Sequence, residues 1–144
     1  MNVDFMHLRT LWQQAFGDSD EALGAFFSVG FSPDRFNCVL EAGVPVSALY
    51  WFDCSLHGQK FAYLYAIATE VSHRGKGYFH RLMEDTHAIL KSRGYSGIVL
   101  SPADEGLFDL YKSLGYRRAV TATEITFFAC SWPITYSSRR ALIS

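Results

Sequence analysis

The stretch that most constrains this chain is TEVSHRGKGYFHRLM, residues 69–83, together with what precedes and follows it. Ahead of it, residues 61–68 (FAYLYAIA) are apolar on both alternating sets: Phe61, Tyr63, Tyr65 and Ile67 on one, and Ala62, Leu64, Ala66 and Ala68 on the other. Such a run reads as a strand covered on both faces, hence a central strand of a sheet. Behind it an amphipathic helix is predicted to run to about Arg93. Between strand and helix stand Arg74, Gly75, Lys76 and Gly77. The first turn of a helix carries N–H groups without intrahelical acceptors and the positive end of the helix dipole, so a basic glycine turn at that place makes an anion site. Gly75 and Gly77 lack a Cβ and let a phosphate come close to the backbone, while Arg74 and Lys76 add full charges. The carboxyl end of a central strand is also where open α/β sheets bind ligands. The turn has neither the G-x-x-x-x-G-K-S/T nor the G-x-G-x-x-G pattern, which excludes the two commonest nucleotide loops.

The whole chain sets bounds on the partners of that site. At 144 residues it is one domain by length, spanning 1–144, and long enough to bury a core without staples. Apolar residues make up 49% and charged residues 19%, a globular balance. The net charge of −1 leaves no overall basic field, which counts against nucleic acid as a partner. Cys38, Cys54 and Cys130 are an odd number without a C-x-x-C, as expected for buried thiols in a reducing compartment. No basic-then-apolar leader opens the sequence and no apolar run reaches membrane-spanning length, so no membrane partner and a cytoplasmic location are expected. His80 and His87 lie seven apart on a helix rather than four, with no third ligand evident, so no metal is expected.

In chain order, Phe5, Leu8, Trp12, Ala15 and Phe16 repeat at helical spacing until Gly17. Asp18 is the expected N-cap of a second helix, with Asp20 and Glu21 in its first turn and Leu23, Phe26 and Phe27 on its apolar face, ended by Gly30 and Pro33. Core packing is the main reading of those aromatics; Phe26, Phe27 and Phe31 lining an acceptor pocket is the other. Residues 37–42 and 45–56 read as strands about a turn at Gly43, and residues 57–60 (HGQK) turn back into the central strand, giving an antiparallel meander. After the basic turn, Phe79, Leu82, Met83, Thr86, Ile89 and Leu90 form one helical stripe, stopped by Gly94. Residues 97–100 form a short strand, and strand–helix–strand makes a parallel pair. Residues 101–104 (SPAD) open a further helix closed by Gly115, and residues 116–128 return to β-like alternation. Residues 132–136 read as an edge strand and residues 137–140 as a frayed basic tail.

Residues 63–79 (YLYAIATEVSHRGKGYF) resemble the acetyl-CoA-binding motif of the GNAT superfamily of N-acetyltransferases, Q/R-x-x-G-x-G/A, which falls on Arg74, Gly77 and Phe79. Phe79 stands where Gly or Ala is usual, and Val71 where a Pro is common. Residues 107–116 (LFDLYKSLGY) resemble the second signature of the same family, A-x-x-L-Y-E/K-x-L-G-F/Y, with Leu107 in place of the Ala. The two signatures stand in the family order at a suitable separation, and the pair is far more specific than either alone. The resemblance implies an α/β (α+β) fold with a mixed central sheet of about six or seven strands, helices on both faces and a splayed parallel strand pair.

The implied chemistry is acyl transfer from acetyl-CoA, a co-substrate, to a primary amine by direct attack in a ternary complex. The resemblance assigns the pyrophosphate to N–H groups of Gly75, Lys76, Gly77, Tyr78 and Phe79 with Arg74 beside them, and Asp104 stands at a cofactor-binding position where the family often has Asn. It assigns pantetheine to backbone groups of Ile67, Ala68 and Thr69, paired like an added strand. A backbone N–H near Ile67 or Ala68 is the implied oxyanion donor, and Tyr111 the general acid, since a phenol with pKa about 10 is protonated at neutral pH. Glu70 is the first candidate for the base that takes the amine's proton, Glu41 the second, and Tyr63 or Tyr65 could position a bridging water. A small-molecule amine is favoured over a peptide amine because no large charged face is evident for docking a protein. The family resemblance also allows a homodimer through the C-terminal strand. Two other readings stand beside this one: a non-catalytic acyl-CoA-binding sensor of the same fold, and an unrelated phosphate-binding module.

Overall fold

The computed structural model describes residue 3 and residues 5–100, 105–120, 125–127 and 141–143. The chain forms two compact units, one made of Met1–Trp51 and Tyr65–Ile89 and the other of Phe52–Leu64 and Leu90–Ser144. Strands β2 (Val44–Leu56) and β3 (Gln59–Thr69) run through both. Among the described residues no helix is long and apolar enough to cross a membrane.

In the first unit, helix α1 (Phe5–Phe16) stops at Gly17 as expected, with the Gly17 N–H bonded to the Gln13 carbonyl at 2.8 Å. Helix α2 (Asp20–Ala25) is capped by Ser19, whose Oγ accepts from the Ala22 N–H at 3.1 Å, and not by Asp18. The first helical residue is Asp20, so the cap position falls on Ser19, and Asp18 instead accepts from the Trp12 indole at 2.7 Å. α2 then widens into a π-helical turn, Phe26–Gly30, which sets Phe26 against Trp12 with ring centroids 4.6 Å apart. Tyr50 and Tyr65 join the same ring cluster, 5.2 and 5.6 Å from Trp12. Phe26 is a core residue at 1% exposure, which is the packing reading of the sequence; Phe27 and Phe31 are half-buried at its edge.

Strand β1 (Phe36–Glu41) pairs antiparallel with β2 from Phe36↔Tyr50 to Glu41↔Val44, each strand starting one residue before its expected bound. Leu49, Tyr50, Trp51 and Phe52 are all buried, so this part of β2 is covered on both faces, as its sequence implied. Helix α3 (Tyr78–Ser92) buries Leu82, Met83 and Thr86 on the expected stripe, while Glu84 and Asp85 are exposed. Thr86 donates to the Leu82 carbonyl at 2.7 Å and accepts from Asn37 Nδ2 at 3.1 Å, which ties β1 to α3 through two buried polar side chains.

In the second unit the turn into β3 is tighter than the expected four residues. β2 ends at Leu56 and β3 begins at Gln59, leaving His57 and Gly58, both at positive φ (51° and 75°). β3 pairs in parallel with β4 (Gly97–Leu100) through Phe61↔Gly97, Ala62↔Ile98 and Tyr63↔Val99, completing the βαβ unit read from the sequence. The ladder ends there, although β3 continues to Thr69. Strand β5 (Arg117–Val120) and strand β7 (Ala141–Ile143) pair antiparallel, β7 pairs antiparallel with β4, and strand β6 (Ile125–Phe127) pairs antiparallel with β2. The sheet is therefore mixed, with flanking helices, an α+β arrangement. β7 follows directly on the stretch read as a frayed tail. Three residues are too short to show a period, and ladder bonds to β4 and β5 order them. Helix α4 (Phe108–Ser113) follows a 3-10 turn, Glu105–Leu107. Its expected opening at residues 101–104, Cys130 and the expected edge strand at 132–136 lie outside the described residues.

Candidate active site

β3 changes character halfway along. Phe61, Ala62, Tyr63 and Leu64 are buried, whereas Tyr65, Ala66 and Ile67 are half-buried, so the expected burial of both faces holds only for the first part. Ala66 sits in the left-handed region at φ 54°, a conformation that costs an L-residue about 1–2 kcal/mol. Strained backbone of this kind persists where the surroundings hold it, and it clusters at functional sites.

Past Ala66 the strand has a defined orientation. The Ala68 carbonyl accepts from the Ser47 hydroxyl at 3.2 Å, and the Glu70 N–H donates to the Val46 carbonyl at 2.8 Å. Both partners belong to β2. In extended backbone the N–H and C=O of one residue point to one side and those of the next to the other. Ala68 and Glu70 therefore face β2, and Ile67 and Thr69 face away from it. Of the two expected oxyanion donors, the Ile67 N–H is the one directed away from β2. The Thr69 carbonyl accepts from Arg74 Nε at 3.2 Å.

A 3-10 turn, Val71–His73, leads into the basic loop. Gly75 (φ 76°) and Gly77 (φ 83°) are both left-handed, and a Cβ at either would meet nothing within 4 Å. Glycine is required here by the backbone angle, and the space above the loop is open to a ligand. The Gly77 carbonyl accepts the Arg81 N–H at 3.0 Å, so α3 starts at this point and its first N–H groups belong to the loop. Arg74 and Lys76 are exposed, and Phe79 is half-buried in the first helical turn. The Tyr78 hydroxyl donates to Glu41 at 2.5 Å, and that hydrogen bond raises the phenol above its ordinary pKa. This commits the Glu41 carboxylate to bracing the loop.

Glu70 is equally engaged. Its Oε1 accepts from the Ser72 hydroxyl at 2.9 Å, and its Oε2 lies 2.9 Å from His73 Nδ1. The carboxylate thus fixes an Nδ1–H tautomer of His73 and leaves Nε2 as the imidazole's other nitrogen. Ile67, Ala68, Thr69, Glu70 and Arg74 through Phe79 all belong to one unit and form one continuous stretch. Ser47, His73 and the Tyr78–Glu41 pair escaped the sequence reading. A lone serine inside the buried apolar run of β2 was the only available signal for the first.

Tyr111 belongs to the other unit, on α4. The Tyr116 N–H returns to the Tyr111 carbonyl at 3.1 Å and the Gly115 N–H to the Lys112 carbonyl at 3.0 Å, with Gly115 at φ 96°. This is a Schellman cap, and its usual apolar contact is the Tyr111–Tyr116 ring pair at 5.8 Å. Tyr111 is 5% exposed, and burial pushes its phenol up to about 12. Asp104 lies outside the described residues.

A family model described as an acetyltransferase (GNAT) domain matches residues 3–119 of this chain. The chain belongs to the GNAT acetyltransferase family. Solved structures agree on the fold. A GNAT family N-acetyltransferase from Escherichia coli (YhbS), solved in complex with CoA, superposes with a TM-score of 0.69 at 17% identity, over 99% of this chain and 76% of that one. An acetyltransferase from Streptococcus agalactiae gives 0.68 at 17% identity, over 96% and 88%. A GCN5-related N-acetyltransferase from Kribbella flavida gives 0.67 at 22% identity, over 78% of this chain and 30% of that one, so this chain spans less than a third of its length. No curated protein matches the sequence. In this member of the family the two signatures become a strand with a left-handed break feeding a glycine turn, and a capped helix.

Proposed function

We propose that these 144 residues form one acetyl-CoA-dependent N-acetyltransferase domain acting on a primary amine, a small molecule more readily than a peptide, by direct attack in a ternary complex. One observation carries the reading: the backbone of Ile67 and Thr69 is turned away from β2 and runs directly into the open, left-handed glycine turn at the start of α3. That continuous line of backbone groups suits a ligand with an amide-bearing arm at one end and a pyrophosphate at the other. The end of the β3–β4 ladder at Tyr63 supports a splayed strand pair in a sheet of six or seven strands with helices on both faces.

In this reading the loop N–H groups from Gly75 to Phe79 hold the pyrophosphate, with Lys76 and the outer face of Arg74 adding charge. Ile67, Ala68 and Thr69 position pantetheine, with the Ile67 N–H aimed where negative charge develops on the acyl oxygen. Tyr111 donates a proton to the departing sulfur. Its raised pKa keeps it protonated through the physiological range. Glu70 is the base for the amine's proton, its carboxylate held by the Ser72 hydroxyl and His73 Nδ1 and itself open to solvent. Asp104 is proposed as a further cofactor contact.

A second reading is favoured by one observation: Tyr111 already has a structural task in the cap of α4. In a non-catalytic acyl-CoA-binding module that task would be its whole role. Thiol release from acetyl-CoA in the presence of an amine panel separates the two. The enzyme reading expects amine-dependent release, with Tyr111→Phe lowering kcat about 100-fold at little change in the KM for acetyl-CoA. It also expects Glu70→Gln to lower kcat with little change in the KM for acetyl-CoA. Binding of CoA with no amine-dependent release would leave the sensor reading standing.

A further inference from the structure

We infer that Ser47 is a positioning residue for the pantetheine-binding end of β3, an inference that rests on the function proposed above. Ser47 is fully buried on β2, where an unpaired hydroxyl would be costly. Its Oγ lies 3.2 Å from the Ala68 carbonyl and 2.8 Å from Thr69 Oγ1. The proton directions are forced. A carbonyl only accepts, so Ser47 must donate to Ala68, and Thr69 must therefore donate to Ser47. The chain Thr69 hydroxyl to Ser47 hydroxyl to Ala68 carbonyl leaves no proton unused.

The place of this chain gives it its consequence. Ala66 breaks the regular strand two residues earlier, and beyond a left-handed residue the strand direction has to be fixed again. Beside the pairing of β3 with β2, a bond from Ser47 to the Ala68 carbonyl and one from the Glu70 N–H to Val46 help fix it. The second is made by backbone and survives any side-chain change. The first depends on one hydroxyl. While it holds, the Ala68 peptide cannot rotate, and the peptide groups of Ile67 and Thr69 stay directed away from β2, where an amide-bearing arm would pair with them. Without it, the Ala68 carbonyl loses its side-chain tie to β2, and the planes on either side of it gain freedom.

The affected part of the ligand is thus the pantetheine arm and not the adenosine phosphates, which separates positioning from a general loss of fold. The test is calorimetric titration of the full chain and of Ser47→Ala with three probes: acetyl-CoA, S-acetylpantetheine and adenosine 3′,5′-bisphosphate. One lost hydrogen bond predicts about three- to tenfold weaker binding of the first two, by the same factor. Binding of the third should change by less than about twofold, since its partners are the glycine-turn amides. Ser47→Cys, isosteric but a poor donor, should behave like Ser47→Ala. Thr69→Val removes only the outer donor and should show the smaller loss. Unchanged affinity for S-acetylpantetheine in Ser47→Ala, or an equal loss for adenosine 3′,5′-bisphosphate, overturns the inference. A wild-type chain that binds adenosine 3′,5′-bisphosphate but not S-acetylpantetheine overturns it by removing the pantetheine strand. A wild-type chain that binds none of the three overturns the proposed function itself.

Discussion

Ala66 offers a test in which the sign of the effect is informative. In an ordinary strand glycine destabilises by about 0.5–1 kcal/mol relative to alanine, and valine is the better strand residue. At φ 54° the order reverses. Ala66→Gly relieves a left-handed strain of about 1–2 kcal/mol and gives back about 0.5–1 kcal/mol in unfolded-state entropy. The net is a gain of about 0–1.5 kcal/mol, or a Tm rise of about 0–5 °C for a chain of this size. Ala66→Val puts a β-branched side chain where it is a genuine outlier and should lose about 1–3 kcal/mol. Urea and thermal unfolding of the three chains measure both shifts. A glycine variant less stable than wild type together with a valine variant at least as stable would show that β3 runs straight. The orientation deduced for Ile67 and Thr69 would then fall with it. Ala66→Val should also lose transferase activity beyond its loss of stability, because a straightened strand turns the following peptides over.

Two further predictions follow from the same geometry. Gly77→Ala meets no steric obstacle, so its cost is backbone strain of about 1–2 kcal/mol, and it should raise the KM for acetyl-CoA; an unchanged KM would detach the turn from the ligand. Alkaline pH should destabilise the fold, because burial raises Cys54 from 9.0 to about 12 and Tyr111 from 10.0 to about 12, with Tyr50 and Tyr116 raised as well. These groups stay protonated in the folded chain while the unfolded chain releases its protons first. The contribution of these groups is therefore level below pH 9 and falls between pH 9 and pH 12. Urea midpoints that match at pH 7 and pH 11 would contradict that burial.

What the sequence showed and what it withheld divide along physical lines. The α3 stripe, its glycine stop and the βαβ pairing are local and periodic, so Leu82, Met83 and Gly94 announced them. The glycine turn was legible because Gly75 and Gly77 stand between an apolar run and a helical stripe. The left-handed break at Ala66 was not, since alanine carries no preference for it and the surrounding strand imposes it. Asp18 and Ser19 are equally good caps in composition, and only the start of α2 at Asp20 decides between them. The roles of Ser47 and Glu41 depend on partners 21 and 37 residues away, which no local pattern carries. Glu70 was read as a carboxylate near the strand end, but its engagement with Ser72 and His73 needs the 3-10 turn that follows.

The most direct measurement is calorimetric titration of the chain with acetyl-CoA, with ATP and dephospho-CoA alongside. The account predicts micromolar binding of acetyl-CoA and little heat from ATP, since in the proposed site the Ile67–Thr69 backbone pairs with a pantetheine arm that ATP lacks. Equal binding of ATP, or no binding of acetyl-CoA, would contradict it.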